Sequence, residues 1–189
     1  MRPRGRARAA VPCAAGYYSL NGNGEMTGVA WIEESGELQT PITITNTHSC
    51  GVTRDATIRR LVSRAIGTGQ ALGLPVAAET YDGDLNDING FHVRAEHVDR
   101  ALDEAKGGPV AEGNVGGGTG MVCHEFKCGI GTASRLADGH VVGVLVQANY
   151  GLRDGLIKDL GLNVASLEAL TPAYGKVLAH YRRLGGTAG

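Results

Sequence analysis

ITITNTHSCGVTRDATIRRLVSRAIGTGQALG, residues 42–73, decides the fold class. Its first five residues, Ile42–Asn46, form a short β-branched run that reads as a strand. Behind it Ile58, Leu61, Val62, Ala65, Ile66 and Leu72 recur at the spacing of one helical face. Thr53 or Asp55 can cap that helix and Gly73 can end it. A strand that runs straight into an amphipathic helix is the repeating unit of a mixed α/β layered domain.

Outward from this unit the pattern continues. Val29–Ile32 (VAWI) reads as a further strand, with the polar, Gly-containing Glu33–Gln39 as a connection of hairpin length. Downstream, Met121–Phe126 and Gly129–Arg135 read as two strands about a tight link. Val141–Asn149 (VVGVLVQAN) is nearly all apolar, so burial on both faces is expected. Val98, Ala101, Leu102 and Ala105 define a second helix stopped by Gly107-Gly108. A third starts at Thr171-Pro172, presents Tyr174, Val177, Leu178, Tyr181 and Leu184, and stops at Gly185. Residues 1–15 read as an Arg-rich disordered or ragged start, and 16–189 as the domain.

Composition bounds the function. With 42% hydrophobic and 20% charged residues over 189 positions, the chain is globular and long enough for a core. Thirty glycines, with no collagen period, mean many turns and close backbone approaches. A net charge of −1 disfavours a general nucleic-acid binder. The longest apolar stretch, Val141–Ala148, is too short to span a bilayer, and the Arg-rich start lacks the apolar region of a secretory signal. Neither a nucleic-acid nor a membrane partner is expected; a cytoplasmic location is, with the periplasm as the alternative. Cys13, Cys50, Cys123 and Cys128 form no C-x-x-C pair, so reduced thiols are expected.

Several motifs carry chemistry in principle. Glu112–Met121 (EGNVGGGTGM) matches neither phosphate-loop pattern, although its backbone can approach a ligand or strand closely. His124-Glu125 begins like H-E-x-x-H, but the fifth position is Cys128; the plain reading is a strand with Cys123 buried and His124 exposed, and no metal site. His48-Ser49-Cys50-Gly51 sets a nucleophile beside a base, yet adjacent residues rarely reach each other productively, so a turn into the helix is the simpler reading. Asn21-Gly22-Asn23-Gly24 is a turn signal. Ala78–Gly90 concentrates Glu79, Tyr81, Asp82, Asp84, Asn86, Asp87 and Asn89, either as a binding loop or as a solvated acidic one. Asn149, ending an apolar strand, is either an oxyanion donor or a turn former.

Taken together, GYYSLNGNGEMTG (16–28), ITNTHSCGVTRDA (44–56), AETYDGDLNDINGFHV (78–93), GGPVAEGNVGGGTGMVCHEFKCGIGTASR (107–135) and LVQANYG (145–151) resemble the DmpA/BapA-type aminopeptidases, serine enzymes of the N-terminal-nucleophile kind. The resemblance implies a four-layer αββα sandwich, shared with ornithine acetyltransferases and incomplete in this chain. It implies a precursor that cuts itself before an internal Ser, two pieces that stay together, and an oligomeric assembly. Substrates would be N-terminal residues of short peptides and amino-acid amides or esters, with no cofactor. By the same resemblance Glu79 holds the substrate's amine, Tyr81 is the active-site tyrosine, Asn149 is the oxyanion asparagine, and Gly116, Gly117 and Gly118 are the Gly-rich segment beside the site. Ser19, Ser35, Ser49, Ser63, Ser134 and Ser166 do not match the nucleophile position, so this chain would be the α piece, inert without a β chain carrying the serine. The alternatives are an inert remnant that binds another chain, and an acetyl-transfer enzyme, for which Thr187 is the nearest nucleophile.

Overall fold

A computed structural model describes residues 12–64 and 73–153. Its elements, in chain order, are β1 (Cys13–Ala14), α1 (Val29–Ser35), β2 (Glu37–Leu38), β3 (Ile42–Asn46), α2 (Cys50–Arg64), β4 (Val76–Thr80), α3 (Ala95–Glu104), β5 (Val122–Cys123), β6 (Phe126–Lys127), β7 (Ile130–Ala137) and β8 (His140–Gln147). The third helix expected from Thr171, and the Ala65, Ile66 and Leu72 positions of the first, lie outside the described residues.

The strand and the helix behind it hold, and the helix is followed by a strand not expected from sequence, β4, which takes in the first three residues of the stretch read as a loop. β3 pairs with β4 in parallel, from Ile42 opposite Val76 to Asn46 opposite Thr80, and α2 packs on both strands. On the other edge of β4, residues 25–27 run antiparallel: Thr27 donates its N–H to the Ala77 carbonyl, and Glu79 donates to the Glu25 carbonyl. The helix starts earlier than its expected caps. A 3-10 turn over Thr47–Ser49 feeds straight into Cys50, so Thr53 lies within α2 and is buried. Its fully buried stripe is Cys50, Thr53, Ala56 and Thr57, not the larger apolar residues, and Val62 is exposed. These small residues let the helix approach the equally small Ala77 and Ala78 of β4 closely.

Val29–Ile32 is helix, not strand. Gly28 and Gly36, both left-handed at φ 75° and 68°, bracket α1, and Gly36 returns its N–H to the Ile32 carbonyl. A Cβ on Gly28 would stand 2.7 Å from the Leu74 carbonyl oxygen, so the entry needs glycine for space as well as for φ. A four-residue apolar run has no period long enough to separate strand from one helical turn, and here the following Glu33-Glu34-Ser35 extend the helix. The Glu33–Gln39 connection is therefore a helix end followed by β2, which pairs antiparallel with β1. Cys13 and Ala14, read from sequence as part of the start segment, are thus tied to the fold.

The Met121–Arg135 region also differs. Met121–Phe126 is broken by His124 and Glu125, both at positive φ, into a hairpin of β5 and β6, and the next strand runs Ile130–Ala137. The sulfurs of Cys123 and Cys128 are joined across this hairpin, which corrects the expectation of four reduced thiols. β7 and β8 form a second hairpin through Asp138-Gly139, both at positive φ as a tight two-residue turn requires. The apolar run of β8 is not buried on both faces: Val141, Val142, Val144, Leu145 and Val146 are exposed, and among the described residues β7 is its only ladder partner.

α3 packs against α2, with Val98 buried and Leu102 half-buried beneath a polar tie. Arg60 donates to Asp103 and lies 3.7 Å from Asp99, and Arg64 lies 3.4 Å from Asp103. The hydrogen bond from Arg60, and then its charge, hold the Asp103 carboxyl below its ordinary 3.8. A carboxyl depressed in the folded state adds stability above its unfolded value and loses it as pH falls through the folded one. Urea midpoints of the wild type and Arg60→Gln are therefore expected to differ at pH 7 and to draw together as pH falls through the lowered Asp103 value. A gap that persists at low pH would contradict this.

Candidate functional site

β3 and β4 are parallel, so their carboxyl ends open on one edge, the position where α/β sheets place ligands. Glu79 sits there. Thr47, just past β3, donates its hydroxyl to Glu79 Oε2 at 2.5 Å, and the Glu25 N–H reaches Oε1 at 3.3 Å. Two donors, one on each oxygen, leave a carboxylate with further lone pairs unused. The turn at Asn21–Gly24 closes over it: a Cβ on Gly24 would be 2.7 Å from Oε1. Asn21 shapes that turn by accepting the Asn23 N–H at 2.9 Å. Two stretches that read separately from sequence, the NGNG turn and the acidic loop, thus form one feature.

Asn149 is joined to Tyr81 by a reciprocal pair. Its Oδ1 accepts the Tyr81 N–H at 3.1 Å and its Nδ2 donates to the Tyr81 carbonyl at 2.9 Å. A longer 3.4 Å bond from Nδ2 reaches the Val122 carbonyl. The Tyr81 side chain is half exposed, its ring beside Gly83. The structure therefore brings Glu79, Tyr81 and Asn149 to one strand end. Gly116, Gly117 and Gly118 lie in a 3-10 turn over Gly116–Gly120 that borders a separate cavity of about 350 Å³, with Thr80, Asp82 and Gln147 in its wall.

Thr47, Gln147 and Lys127 were not legible as site residues. Gln147 donates to the Thr80 hydroxyl at 2.6 Å and fills the space a side chain on Gly117 would need. Its place two residues before Asn149, at the end of the apolar run, was the available signal. Lys127 gives its ammonium to the carbonyls of Gly118 (2.9 Å), Met121 (3.3 Å) and Cys128, tying β6 to the glycine turn.

Other candidates resolve into structure. Among the described residues no group of three or more His, Cys, Asp or Glu is placed to hold a metal. His124 serves a turn, its Nδ1 3.0 Å from the Leu152 carbonyl and its ring edge-on to Tyr150. His48 faces the Ile88 carbonyl and stacks on Phe91. Cys50 is 1% exposed, and burial, then the carboxylates of Glu25 and Glu79, push its thiol up to about 11. Roughly one molecule in a thousand would carry the thiolate at pH 8. Iodoacetamide at that pH is expected to label exposed Cys13 and to spare Cys50 until the chain is denatured, as read by peptide mass spectrometry. Equal labelling of the two in the native protein would contradict this burial.

Among the described residues no helix is long and apolar enough to cross a membrane. The model of peptidase family S58 matches residues 1–177, beyond both ends of the quoted strings. The beta-peptidyl aminopeptidase BapA of Sphingosinicella microcystinivorans is 53% identical over 158 residues, 82% of this chain and 39% of that protein. Among solved structures, a Burkholderia sp. beta-aminopeptidase is 59% identical with a TM-score of 0.70, over 75% of this chain and 41% of its own. The L-aminopeptidase D-Ala-esterase/amidase of Ochrobactrum anthropi, described as a serine-aminopeptidase prototype and a variant of the Ntn hydrolase fold, is 51% identical with a TM-score of 0.73, over 78% and 43%. The chain thus has the α/β architecture of these Ntn hydrolases and spans about two-fifths of their length.

Proposed function

This chain belongs to peptidase family S58, and from that premise we propose that it is the substrate-binding part of a serine aminopeptidase acting on the N-terminal residues of short peptides, amino-acid amides and esters. One observation carries the reading: Glu79, Tyr81 and Asn149 share one strand end, and the Glu79 carboxylate is held by Thr47 and Glu25 with acceptor capacity to spare. An exopeptidase needs an anion for the free α-ammonium, and Glu79 supplies it. Acyl transfer needs a donor for the tetrahedral oxyanion, and the Asn149 amide supplies one by releasing its longer bond to the Val122 carbonyl. Tyr81 is locked through its backbone to Asn149, with its half-exposed ring beside Gly83.

In this reading the nucleophile is an N-terminal serine made by self-cleavage and contributed by a segment other than these 189 residues. The greater length of the relatives supports that division. The assembly would be a cytoplasmic homo-oligomer. A second reading, an inert piece that binds another chain, is favoured by the exposed apolar residues of β8.

The two readings separate in an assay with amino-acid p-nitroanilides. The purified chain alone is expected to show no turnover. Co-expressed with the part of the Burkholderia sp. enzyme that it does not match, it is expected to regain hydrolysis. Turnover by the chain alone would refute the division of labour, and a stable but silent complex would favour the second reading.

A further inference from the structure

We propose that the Cys123–Cys128 bond is a thiol-exchange site: a small dithiol opens it through the Cys128 sulfur, and opening releases the strand end that carries Asn149. Asn149 and Tyr81 are taken as site residues from the aminopeptidase reading. The bond, its access and what it holds do not depend on that reading.

The bond closes the hairpin of β5 and β6 at a separation of five residues. The hairpin is weak without it. It has two residue pairs, Val122 opposite Lys127 and Cys123 opposite Phe126. Its turn residues, His124 and Glu125, sit at φ 50° and 63°, where side chains are disfavoured. A two-stranded ribbon this short is marginal in water on its own. A cross-link removes open conformations from the competing ensemble, so losing it raises the population of the open hairpin.

The hairpin holds one side of the site. The Val122 carbonyl accepts the Tyr150 N–H at 3.3 Å and the Asn149 amide at 3.4 Å. The His124 N–H donates to the Tyr150 and Gly151 carbonyls at 2.9 and 3.1 Å. Asn149 in turn holds the backbone of Tyr81. A run of direct contacts therefore leads from the two sulfurs to Tyr81. The ammonium of Lys127 and the Cys128 N–H, which donates to the Met121 carbonyl at 2.9 Å, anchor the base of β6 independently of the bond. Opening thus frees the hairpin and leaves the rest of the fold in place.

Access is one-sided. Cys123 is 4% exposed and Cys128 is half-buried, so a thiolate reaches the Cys128 sulfur. Attack there forms a mixed disulfide with Cys128 and expels Cys123 as a thiolate, which takes a proton from water. The second thiolate of the reductant attacks its own sulfur in the mixed disulfide and expels Cys128, which is protonated in turn. Overall the dithiol is oxidised to a cyclic disulfide and the protein bond is reduced to two thiols. A small-molecule disulfide reverses the exchange. In the cytoplasmic setting proposed above thiols are kept reduced, and disulfides that form there are mostly transient or sensing ones.

The test is amide hydrogen exchange of the full 189-residue chain, read by nuclear magnetic resonance before and after reduction with dithiothreitol. Reduction is expected to release two thiols and to speed exchange at His124, Tyr150 and Tyr81 by at least about 10-fold. Thr57, inside α2, should stay within about 2-fold. Cys128→Ser should exchange like the reduced wild type and ignore dithiothreitol, whereas Cys13→Ser should respond as the wild type does. The comparison of the oxidised and reduced wild type needs no variant, so it decides the matter even if circular dichroism shows Cys128→Ser misfolded. Failure to release thiols, unchanged exchange at Tyr150, faster exchange in the hairpin without Tyr81, or an equal rise at Thr57 would each overturn the proposal. Turnover plays no part in the readout, so this proposal and the aminopeptidase reading fail separately.

Discussion

Glu79→Gln is expected to lower kcat/KM for amino-acid p-nitroanilides by about 30- to 1,000-fold in the completed assembly, chiefly through KM. Removing one partner of a desolvated ammonium–carboxylate pair costs about 2–4 kcal/mol, and each 1.4 kcal/mol is about a factor of ten. Glutamine keeps the shape and can keep one of the two native bonds. Its amide nitrogen cannot accept the Glu25 N–H, so the oxygen turns to that side and the acceptor for Thr47 is lost, or the reverse. Thr47→Val should act in the same direction but more weakly, by about 2- to 10-fold, because it removes one positioning bond and leaves the charge. An independent readout needs no catalysis. Glu79 is among the charges that push the Cys50 thiol up, so Glu79→Gln should bring that thiol's titration down. An unchanged kcat/KM would remove Glu79 from substrate binding.

Gly118→Ala should produce a large loss of stability. A Cβ there would overlap the Gly113 carbonyl oxygen and stand 3.0 Å from the Ile130 nitrogen, so the obstacles are backbone atoms that cannot swing aside. Gly113 itself is pinned, exchanging both backbone hydrogen bonds with Ile130 at 2.8 and 3.0 Å. Overpacking of this kind costs about 3 kcal/mol, or roughly 6–12 °C in Tm for a chain of this size. Gly116→Ala is the control. It has nothing within 4 Å of its would-be Cβ and only a positive φ of 51°, so its cost should be about 1–2 kcal/mol. Equal melting temperatures for the two variants would mean that the turn does not pack as described.

These glycines show what local sequence can convey. The run at Glu112–Met121 signalled a close backbone approach and no phosphate loop, and the structure finds that approach against Gly113, Ile130 and Gln147. β3 was legible because its first four residues, ITIT, are all β-branched, and α2 because its period is long. Its first turn was not, since Cys50, Gly51 and Val52 carry no capping side chain and the helix grows out of a 3-10 turn. VAWI misled because four apolar residues have no period; the deciding signals were the two glycines that bracket them. For β8, composition reports how apolar a strand is, while exposure depends on what packs over it.

The site divides in the same way. Glu79, Tyr81 and Asn149 stand in distinctive strings and were found by resemblance. What holds Glu79 was invisible, because Thr47 and the Glu25 N–H are 32 and 54 positions away and reach it only through parallel pairing and a returning segment.

The most direct measurement follows the backbone amide signals of Glu25, Thr47 and Glu79 by nuclear magnetic resonance while alaninamide is added, and again with N-acetylalaninamide. The account predicts saturable shifts with the free amine that vanish on acetylation and in Glu79→Gln. Equal shifts from the acetylated amide, or saturable binding of the free amine that leaves these three signals unmoved, would contradict the claim that Glu79 receives the substrate's ammonium.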